Sequence, residues 1–184
     1  MFYMKWLIAS DIHGSLSFAR KTVGAFRDEC ADRLLLLGDI LYHGPRNDLP
    51  EQYNPKAVIE LLNSMKTKIL CVRGNCDTEV DQMVLDFPVL ADYCIITEGK
   101  TAIYATHGHV YNESNLPPLQ NGDILLHGHT HVAKCTEHET YTCINPGSVS
   151  IPKENTGHGY IILENGEFIR KDFDGNTFFT FKIK

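Results

Sequence analysis

The sequence predicts an α/β fold in which two sheets pack face to face and helices lie outside them. Strand and helix patterns alternate in the first part of the chain, and short strand patterns separated by turns fill the second half. The chain has 184 residues, of which 43% are hydrophobic and 22% are charged, as is typical of a globular protein. We expect residues 1–184 to form a single domain.

The amino-terminal part alternates strands and helices. Apolar runs or helical spacing of apolar residues occur at residues 6–9, 18–30, 34–37, 55–65 and 69–72. Ser15 or Ser17 is placed to cap the first helix, and Asn54 is placed to cap the second. This β-α-β-α-β order predicts a largely parallel sheet covered by helices.

The second half contains short strand patterns. They lie at residues 93–97, 101–106, 123–127, 134–138, 141–144, 160–163 and 168–170. Glu98-Gly99-Lys100 predicts one hairpin turn. Asn165-Gly166 predicts another, because both residues tolerate the positive φ of a type I′ turn. These strands predict a second sheet packed on the first.

The charge and the cysteines limit the classes of function. A net charge of −6 argues against an extended basic face for polymeric nucleic acid, although a small anionic substrate is compatible with it. No apolar run approaches the roughly 20 residues of a spanning helix, and Lys5 interrupts the apolar stretch at residues 1–10, which favours a strand over a signal peptide. Six cysteines without C-x-x-C spacing favour free thiols. We expect a cytoplasmic protein with no membrane partner.

Five short motifs that combine glycine with potential metal ligands fall at predicted strand ends. They are Asp11-Ile12-His13-Gly14, Gly38-Asp39, Gly74-Asn75-Cys76-Asp77, His107-Gly108-His109 and Gly128-His129-Thr130-His131. Open α/β sheets place ligands beyond the carboxyl ends of their strands, so we expect the motifs to converge. Carboxylate, amide and imidazole donors without thiolate pairs favour an open catalytic site for manganese, iron or zinc.

Each motif alone also has an ordinary structural interpretation. An Asp-x-His pair could cap a helix beside a solvated histidine, and Gly38-Asp39 could be a simple turn. His127 belongs to an apolar run and could be a buried core histidine, whereas His138 and His158 lack a motif, which favours the surface. The coincidence of five motifs favours a metal site over these alternatives.

At these motifs the sequence resembles the calcineurin-like metallophosphoesterases, particularly their small bacterial and archaeal phosphodiesterases. The resemblance extends from Asp11 to Asn145-Pro146-Gly147-Ser148 and rests on the order and spacing of the motifs. It implies a four-layer α/β/β/α sandwich with two metal ions bridged by one aspartate. The activity it implies is hydrolysis of small phosphodiesters by in-line attack of a hydroxide that bridges the metals.

The resemblance also implies a ligand set. One metal would be held by Asp11, His13, Asp39 and His131, and the other by Asp39, Asn75, His107 and His129. Two divalent cations, two carboxylates and one hydroxide leave a net charge of about +1, which fits a phosphodiester monoanion. We expect two manganese ions, with zinc, iron or nickel as alternatives.

Asp39 and Asn75 are the expected catalytic residues. The family's usual Gly-Asn-His-Asp/Glu segment has Cys76 in place of the histidine. A thiol is a weak donor with a pKa near 8.5, so Cys76 is an imperfect acid for the leaving group. His43 or His109 could donate that proton from another loop.

His43, Arg46 and Arg73 are candidate substrate contacts. Arg73 could instead form a structural ion pair, and the loop at residues 43–47 could serve only as a cover. These alternatives stay open at the level of the sequence.

Two rival functions also stay open. The sequence separates a phosphomonoesterase of the same fold only weakly from a diesterase. A non-catalytic scaffold, like the retromer subunit of this fold, would be expected to lose metal ligands, and all seven are present here, which favours catalysis. Phe178, Phe179 and Phe181 leave a homodimer or higher oligomer open, although alternating aromatic residues more often pack onto their own sheet.

Overall fold

A computed structural model describes residues 4–184 of the chain, so the first three residues of the apolar amino-terminal stretch lie outside it. Its helices are α1 Leu16–Asp28, α2 Pro55–Asn63 and α3 Glu79–Gln82, with a short 3-10 helix at Lys66–Lys68. Its strands are β1 Trp6–Ala9, β2 Arg33–Leu36, β3 Ile69–Cys71, β4 Tyr93–Glu98, β5 Thr101–Thr106, β6 Asp123–Leu126, β7 Lys134–Glu137, β8 Tyr141–Asn145, β9 Gly159–Glu164, β10 Glu167–Asp172 and β11 Thr177–Lys182.

The first sheet has the strand order β11-β10-β9-β1-β2-β3. Strands β1, β2 and β3 are parallel, as their alternation with helices predicted. Strands β9, β10 and β11 continue the sheet in antiparallel pairs. The sheet is therefore mixed, and the prediction of a largely parallel sheet is correct only for its amino-terminal half.

The second sheet has the order β4-β5-β6-β8-β7. Strands β5, β6 and β8 are parallel, and β4 and β7 are antiparallel edges. Both predicted hairpins are present, β4 with β5 and β9 with β10. In the second of these, Asn165 and Gly166 have φ values of 52° and 73°, as a type I′ turn requires.

Two apolar layers explain the run of leucines in β2. Leu34 and Leu36 face the layer beneath α1 and α2, whereas Leu35 and Leu37 face the layer between the two sheets. Successive side chains of a strand point to opposite faces, so a strand covered on both sides is apolar throughout. Phe179 and Phe181 of β11 also pack between the sheets, while Phe178 points outward and is 53% exposed.

The α/β class and the two packed sheets are confirmed. Within residues 4–184, every helix precedes β4, and α1 and α2 contribute to the core over the first sheet. The outer face of the second sheet has no helix in this part of the chain, and Tyr93 and Ile95 are about half exposed. The expected four-layer sandwich has two outer helical layers. The layer over the first sheet is present, and residues 4–184 form no helix over the second sheet.

The helix caps agree with the sequence patterns. The Ser15 side chain accepts from the Phe18 N–H at 3.3 Å and starts α1. The Asn54 side chain accepts from the Ala57 N–H at 3.2 Å and starts α2. Helices α1 and α2 end at Asp28 and Asn63, about two residues before the ends of their apolar patterns. None of the helices in residues 4–184 is both long enough and apolar enough to cross a membrane.

Candidate metal centre

The five glycine-containing motifs meet at one edge of the two sheets. Each follows the carboxyl end of a strand, namely β1, β2, β3, β5 or β6. The loops are joined through their backbones: the Asp11 N–H donates to the Gly38 carbonyl at 3.1 Å, and the His13 N–H donates to the Asp39 carbonyl at 2.9 Å. The predicted convergence of the motifs is confirmed.

Five of the predicted ligands have left-handed backbone conformations. The φ values are 58° at Asp11, 50° at His13, 55° at Asp39, 65° at His129 and 62° at His131. Such values are uncommon outside glycine, although Asp and His are enriched among the exceptions. Each costs on the order of 1–3 kcal/mol and persists only where the surrounding structure enforces it. The ligands adopt these conformations themselves, in addition to the neighbouring Gly14, Gly38 and Gly108, whose φ values are also positive.

Glycine is needed where the loops touch. A Cβ at Gly74 would collide with the backbone nitrogen and Oδ1 of Asp39, and a Cβ at Gly38 would collide with the backbone of Gly74. A Cβ at Gly128 would overlap the Ser10 hydroxyl. The close approach brings donors from separate strands within reach of one another.

The first group of donors surrounds a buried carboxylate oxygen. Asp11 Oδ1 has no hydrogen-bond partner among residues 4–184. It lies 3.2 Å from His131 Nε2 and 3.5 Å from His13 Nε2, and those two nitrogens are 3.2 Å apart. An unpaired buried carboxylate oxygen is costly, so this group suits a cation.

The hydrogen bonds on the far side of each ring fix which nitrogen faces the group. His13 Nδ1 donates to the Tyr42 carbonyl at 2.7 Å, and His131 Nδ1 donates to the Ile151 carbonyl at 3.0 Å. A carbonyl oxygen only accepts, so the proton of each neutral ring is on Nδ1 and Nε2 presents its lone pair. Backbone carbonyls are a common second contact of metal-binding histidines.

A second group of donors lies around His107. Its Nδ1 donates to the Leu37 carbonyl at 2.6 Å, which again leaves Nε2 facing inward. That nitrogen lies 3.1 Å from Asn75 Oδ1 and 3.2 Å from His129 Nδ1. An amide oxygen and two imidazole nitrogens match a borderline divalent metal.

Asp39 faces both groups. Its Oδ2 lies 3.7 Å from His13 Nε2 in the first group and 3.5 Å from His107 Nε2 in the second. Its Oδ1 accepts from the Cys76 backbone N–H at 2.8 Å, which holds the carboxylate in place. One carboxylate between two donor groups fits two metal ions that share a ligand.

The segment after β8 supports the first strand end. The Ser148 and Ser150 hydroxyls donate to the Asp11 carbonyl at 2.8 and 2.9 Å. The Asn145 side-chain amide donates to the Gly128 carbonyl at 2.8 Å and to Thr130 Oγ1 at 3.1 Å. The Asn145-Pro146-Gly147-Ser148 segment thus stabilises two ligand loops by hydrogen bonds, the loop after β1 and the loop after β6.

The buried carboxylates dominate the electrostatics of the centre. Burial raises the pKa of Asp11, but the close approach of the His13 and His131 rings and the charge of His107 outweigh it and hold that pKa well below its usual value. Burial lowers the pKa of His107, but the hydrogen bond with Asp39 and the charge of Asp11 raise it to about 9. The protonated His107 ring therefore places a positive charge beside the carboxylates. Bound metal ions would fulfil the same role.

His129 behaves differently. Burial and the neighbouring charge of His107 lower its pKa to about 4. A neutral imidazole at ordinary pH is the form that binds a metal.

Cys76 lies beside the centre. Its Sγ lies within 4.8 Å of donor atoms of His13 and Asp39. Burial and the charge of Asp39 raise the pKa of the thiol far above its usual value. Its surroundings therefore favour the neutral thiol of Cys76.

Asp77 has a structural role that the sequence analysis missed. It is 1% exposed. Its Oδ2 accepts from the backbone N–H groups of Gly74 at 2.7 Å and Asp39 at 2.8 Å, and its Oδ1 accepts from the Ile40 N–H at 2.9 Å. The carboxylate thus ties the loop after β3 to the loop after β2.

We expect Asp77→Asn to lower the free energy of unfolding by about 2–4 kcal/mol, because the amide would face backbone donors with an NH₂ group. Metal affinity should fall as well, since the Asp39 loop loses one of the two backbone bonds that Asp77 accepts from it. Urea unfolding and metal titration measure the two effects.

Asp123→Asn is the matched control. Asp123 is also buried and accepts from the backbone N–H groups of Ala102 and Gln120, but it begins β6 at the opposite edge of the sheet. It should lose stability and keep metal affinity. Native stability and native metal affinity in Asp77→Asn would contradict the assigned role.

A cavity of about 350 Å³ opens over the donors. Its walls are formed by His13, Asp39, Gly44, Pro45, Arg46, Asn47, Asn75, Cys76, His129, Thr130, His131 and Lys153. Arg46 is the one predicted substrate contact in this lining. Asn47, Thr130 and Lys153 had no role in the sequence analysis, and Lys153 lies outside every motif.

The other predicted contacts lie outside the cavity lining. Arg73 donates to the Asp77 carbonyl at 3.2 Å and lies 3.7 Å from Glu79, which favours its structural interpretation. The His43 ring packs edge-on against Tyr42 and Tyr53, with ring centroids 4.8 and 5.3 Å away. His109 is exposed, and its ring centroid is 5.4 Å from that of His107.

The remaining histidines agree with their structural interpretations. His127 is 5% exposed and donates from Nδ1 to the Gly128 carbonyl at 3.0 Å. His138 and His158 are on the surface, where His138 contacts Glu113 at 2.9 Å and His158 stacks on Phe18.

Comparison with known proteins agrees with the fold. A relative, phosphodiesterase YfcE of Escherichia coli K12, is 46% identical over 162 residues, covering 88% of both chains. The solved structure of YfcE, described as a phosphoesterase from E. coli, matches with a TM-score of 0.95 and 42% identity over 98% of this chain and 100% of that one. Vps29 of Chaetomium thermophilum shares the fold at a TM-score of 0.62 and 18% identity, over 99% of this chain and all of that one. The model of the calcineurin-like phosphoesterase superfamily domain matches residues 4–167, and the chain therefore belongs to this superfamily.

Proposed function

We propose that this chain is a metal-dependent phosphodiesterase that hydrolyses small phosphodiesters. The observation that carries the proposal is the position of Asp39, whose carboxylate faces two separate groups of donors. Its relative YfcE, similar over most of both chains, is named a phosphodiesterase. The small volume of the cavity supports a compact substrate.

Members of the superfamily bind divalent metals. We propose two manganese ions, the first held by Asp11, His13, Asp39 and His131, and the second by Asp39, Asn75, His107 and His129. The oxygen and nitrogen donors suit manganese, and zinc, iron and nickel are alternatives. When bound, the two ions would acidify a water and neutralise charge on the phosphoryl oxygens.

The chain's own residues would orient the substrate. Asn75 Oδ1 is directed at the second donor group, and its amide lines the cavity, where it can donate to a phosphoryl oxygen. Arg46 supplies a cation on the cavity wall. The Cys76 thiol is a weak acid, so His109 and His43 stay the alternative proton donors for the leaving group.

The rival functions are less well supported. A non-catalytic scaffold has no need for two convergent groups of metal donors, and Vps29 is similar at a level that speaks only to the fold. A phosphomonoesterase would use the same donors, and the diesterase is favoured because the relative YfcE is named a phosphodiesterase.

Other properties of the chain also belong to this proposal. Strands β9 and β10 return to the first sheet after the second sheet is complete, which supports residues 1–184 as one domain. All six cysteines are free, which supports a cytoplasmic location. The exposed Phe178 is a candidate contact for a homodimer.

A screen on metal-stripped and manganese-loaded protein tests the proposed function. We expect the loaded protein to hydrolyse an activated aryl diester faster than the corresponding monoester, and the stripped protein to lose this activity. At physiological salt, polymeric nucleic acid should neither compete nor be cleaved internally, because the chain has a net charge of −6.

Two outcomes would contradict the proposal. Full activity after verified metal removal would exclude metal-dependent catalysis. Tight binding and internal cleavage of long nucleic acid would replace the small diester with a polymeric substrate.

A further inference from the structure

Lys153 is held next to a predicted metal ligand. Its backbone N–H donates to the His131 carbonyl at 2.9 Å. Its own carbonyl accepts from Thr156, from the backbone N–H at 3.1 Å and from the hydroxyl at 2.9 Å. The base of the side chain is therefore fixed relative to the metal centre, and the residue lines the cavity.

Arg46 lines the same cavity from a different loop. The Asn47 side chain donates to the His43 carbonyl at 2.8 Å, and the Asn47 N–H donates to the Gly44 carbonyl at 3.4 Å. These bonds fold the loop on itself and hold the backbone that bears Arg46. Two cationic side chains thus reach one cavity from the loop after β2 and from the segment before β9.

Neither Arg46 nor Lys153 forms an ion pair with a carboxylate of the described residues. Within residues 4–184, neither Arg46 nor Lys153 is within 4.0 Å of a carboxylate, although Lys5, Lys66 and Lys171 each form ion pairs. Asp39 is the one carboxylate in the described lining, and it faces the metal donors. A chain of net charge −6 therefore keeps two unpaired cations at its candidate active site.

The charge exceeds what a simple diester needs. A metal centre of net charge about +1 already matches one phosphodiester monoanion. Arg46 and Lys153 are exposed and add two positive charges to the same cavity, where a second anionic group on the substrate would bind them. Charge-assisted hydrogen bonds from Lys and Arg to carboxylate or phosphate are the strong ones.

We infer that Lys153 and Arg46 select phosphodiesters that carry a second anionic group, a carboxylate or a phosphate. The inference rests on the proposed diesterase function and defines its substrate class. Lys153 is then a specificity-determining residue, which acts on the second anion rather than on the phosphoryl group that reacts.

Aryl diesters with one or two anionic groups test this inference on the manganese-loaded protein. The singly charged probe is ethyl p-nitrophenyl phosphate. In two further probes the ethyl group is replaced by 2-carboxyethyl or 2-phosphoethyl, and in a fourth the leaving phenol is 3-carboxy-4-nitrophenol. The carboxyethyl and phosphoethyl probes distinguish the two sources of the anion.

We expect the wild type to prefer a diester with a second anionic group in kcat/KM. Lys153→Met should lose about tenfold or more on that diester, the usual size for a lost charge-assisted hydrogen bond, and less than about threefold on the ethyl ester. Lys153→Arg should retain the preference because it retains the charge. High salt should weaken the preference.

Lys68→Met is the matched control. It removes the same charge, but Lys68 directly precedes β3, at the opposite edge of the sheet from the metal donors. It should behave as the wild type on every probe.

The outcomes separate the inference from the proposed function. A wild type that shows no preference for any probe with a second anionic group, or a Lys153→Met variant that loses activity equally on all four probes, would overturn the inference while diesterase activity stands. A wild type that hydrolyses no diester with any divalent metal would overturn the proposed function itself.

Discussion

Asp39→Asn should lower kcat/KM on an activated aryl phosphodiester by at least about 10³-fold. The substitution preserves the size of the side chain but leaves one oxygen, and Oδ1 already accepts from the Cys76 N–H. An amide with its oxygen turned to that donor would present an NH₂ group to His13 and His107. Both donor groups would lose their shared negative charge at once. Steady-state rates at saturating manganese measure the effect.

Asp174→Asn is the matched control for this variant. Asp174 is an exposed residue between β10 and β11, and its side chain forms no hydrogen bond or ion pair within the described part of the chain. Its activity should equal that of the wild type. A circular dichroism spectrum and unfolding curve for Asp39→Asn would show whether the fold is retained. Near-native turnover by a folded Asp39→Asn protein would mean that the shared carboxylate is not required.

Cys76→His should raise the rate mainly for diesters with poor leaving groups. A positioned general acid contributes roughly 10²–10⁴-fold. We expect a gain near the lower end, about 10²-fold, because three backbone N–H groups hold the Asp77 carboxylate under the Asp39 loop and leave it little freedom to orient the new imidazole. The nearby Gly44 also limits the space, since a Cβ there would lie 3.4 Å from Cys76 Sγ.

The measurement is kcat/KM across diesters of graded leaving-group pKa. The wild type should show a steep dependence, and Cys76→His should show a shallower one. Cys76→Asn, which has a polar side chain without a titratable proton, is the control and should keep the steep slope.

His43→Ala and His109→Ala test the alternative donors. A shallow slope in the wild type that becomes steep in one of these two variants would identify that histidine as the acid. That result would contradict our expectation that, with Cys76 in place of the histidine, the leaving group departs without efficient proton donation.

The sequence predicted most of the elements because their patterns are local. The leucine run of β2 and the Asn165-Gly166 turn each depend on a few neighbouring residues. Strand partners depend on the whole chain, and the patterns at β9 and β10 could not show that these strands join β1 rather than the second sheet. For the same reason, the first sheet was expected to be more parallel than it is.

The candidate metal donors were predicted for a different reason. Their residue types are specific to metal chemistry and recur beside glycine, so the motifs were visible without a structure. Asp77 and Lys153 were not assigned their roles, because a carboxylate that binds backbone and a lysine outside any motif look like ordinary polar residues in a sequence. The resemblance placed Asp77 beside a missing histidine, whereas the structure places it under the Asp39 loop.

Metal content tests the central claim most directly. After metal removal and reloading, the wild type should bind about two manganese ions per chain, and activity should rise with occupancy of the second. Asp39→Asn should retain less than about one ion under the same conditions, because its loss affects both groups of donors. Elemental analysis of the dialysed wild type, Asp39→Asn and the Asp174→Asn control gives the number of manganese ions per chain. Full activity of the wild type with a single ion, or two ions retained by Asp39→Asn, would contradict a centre in which Asp39 is shared.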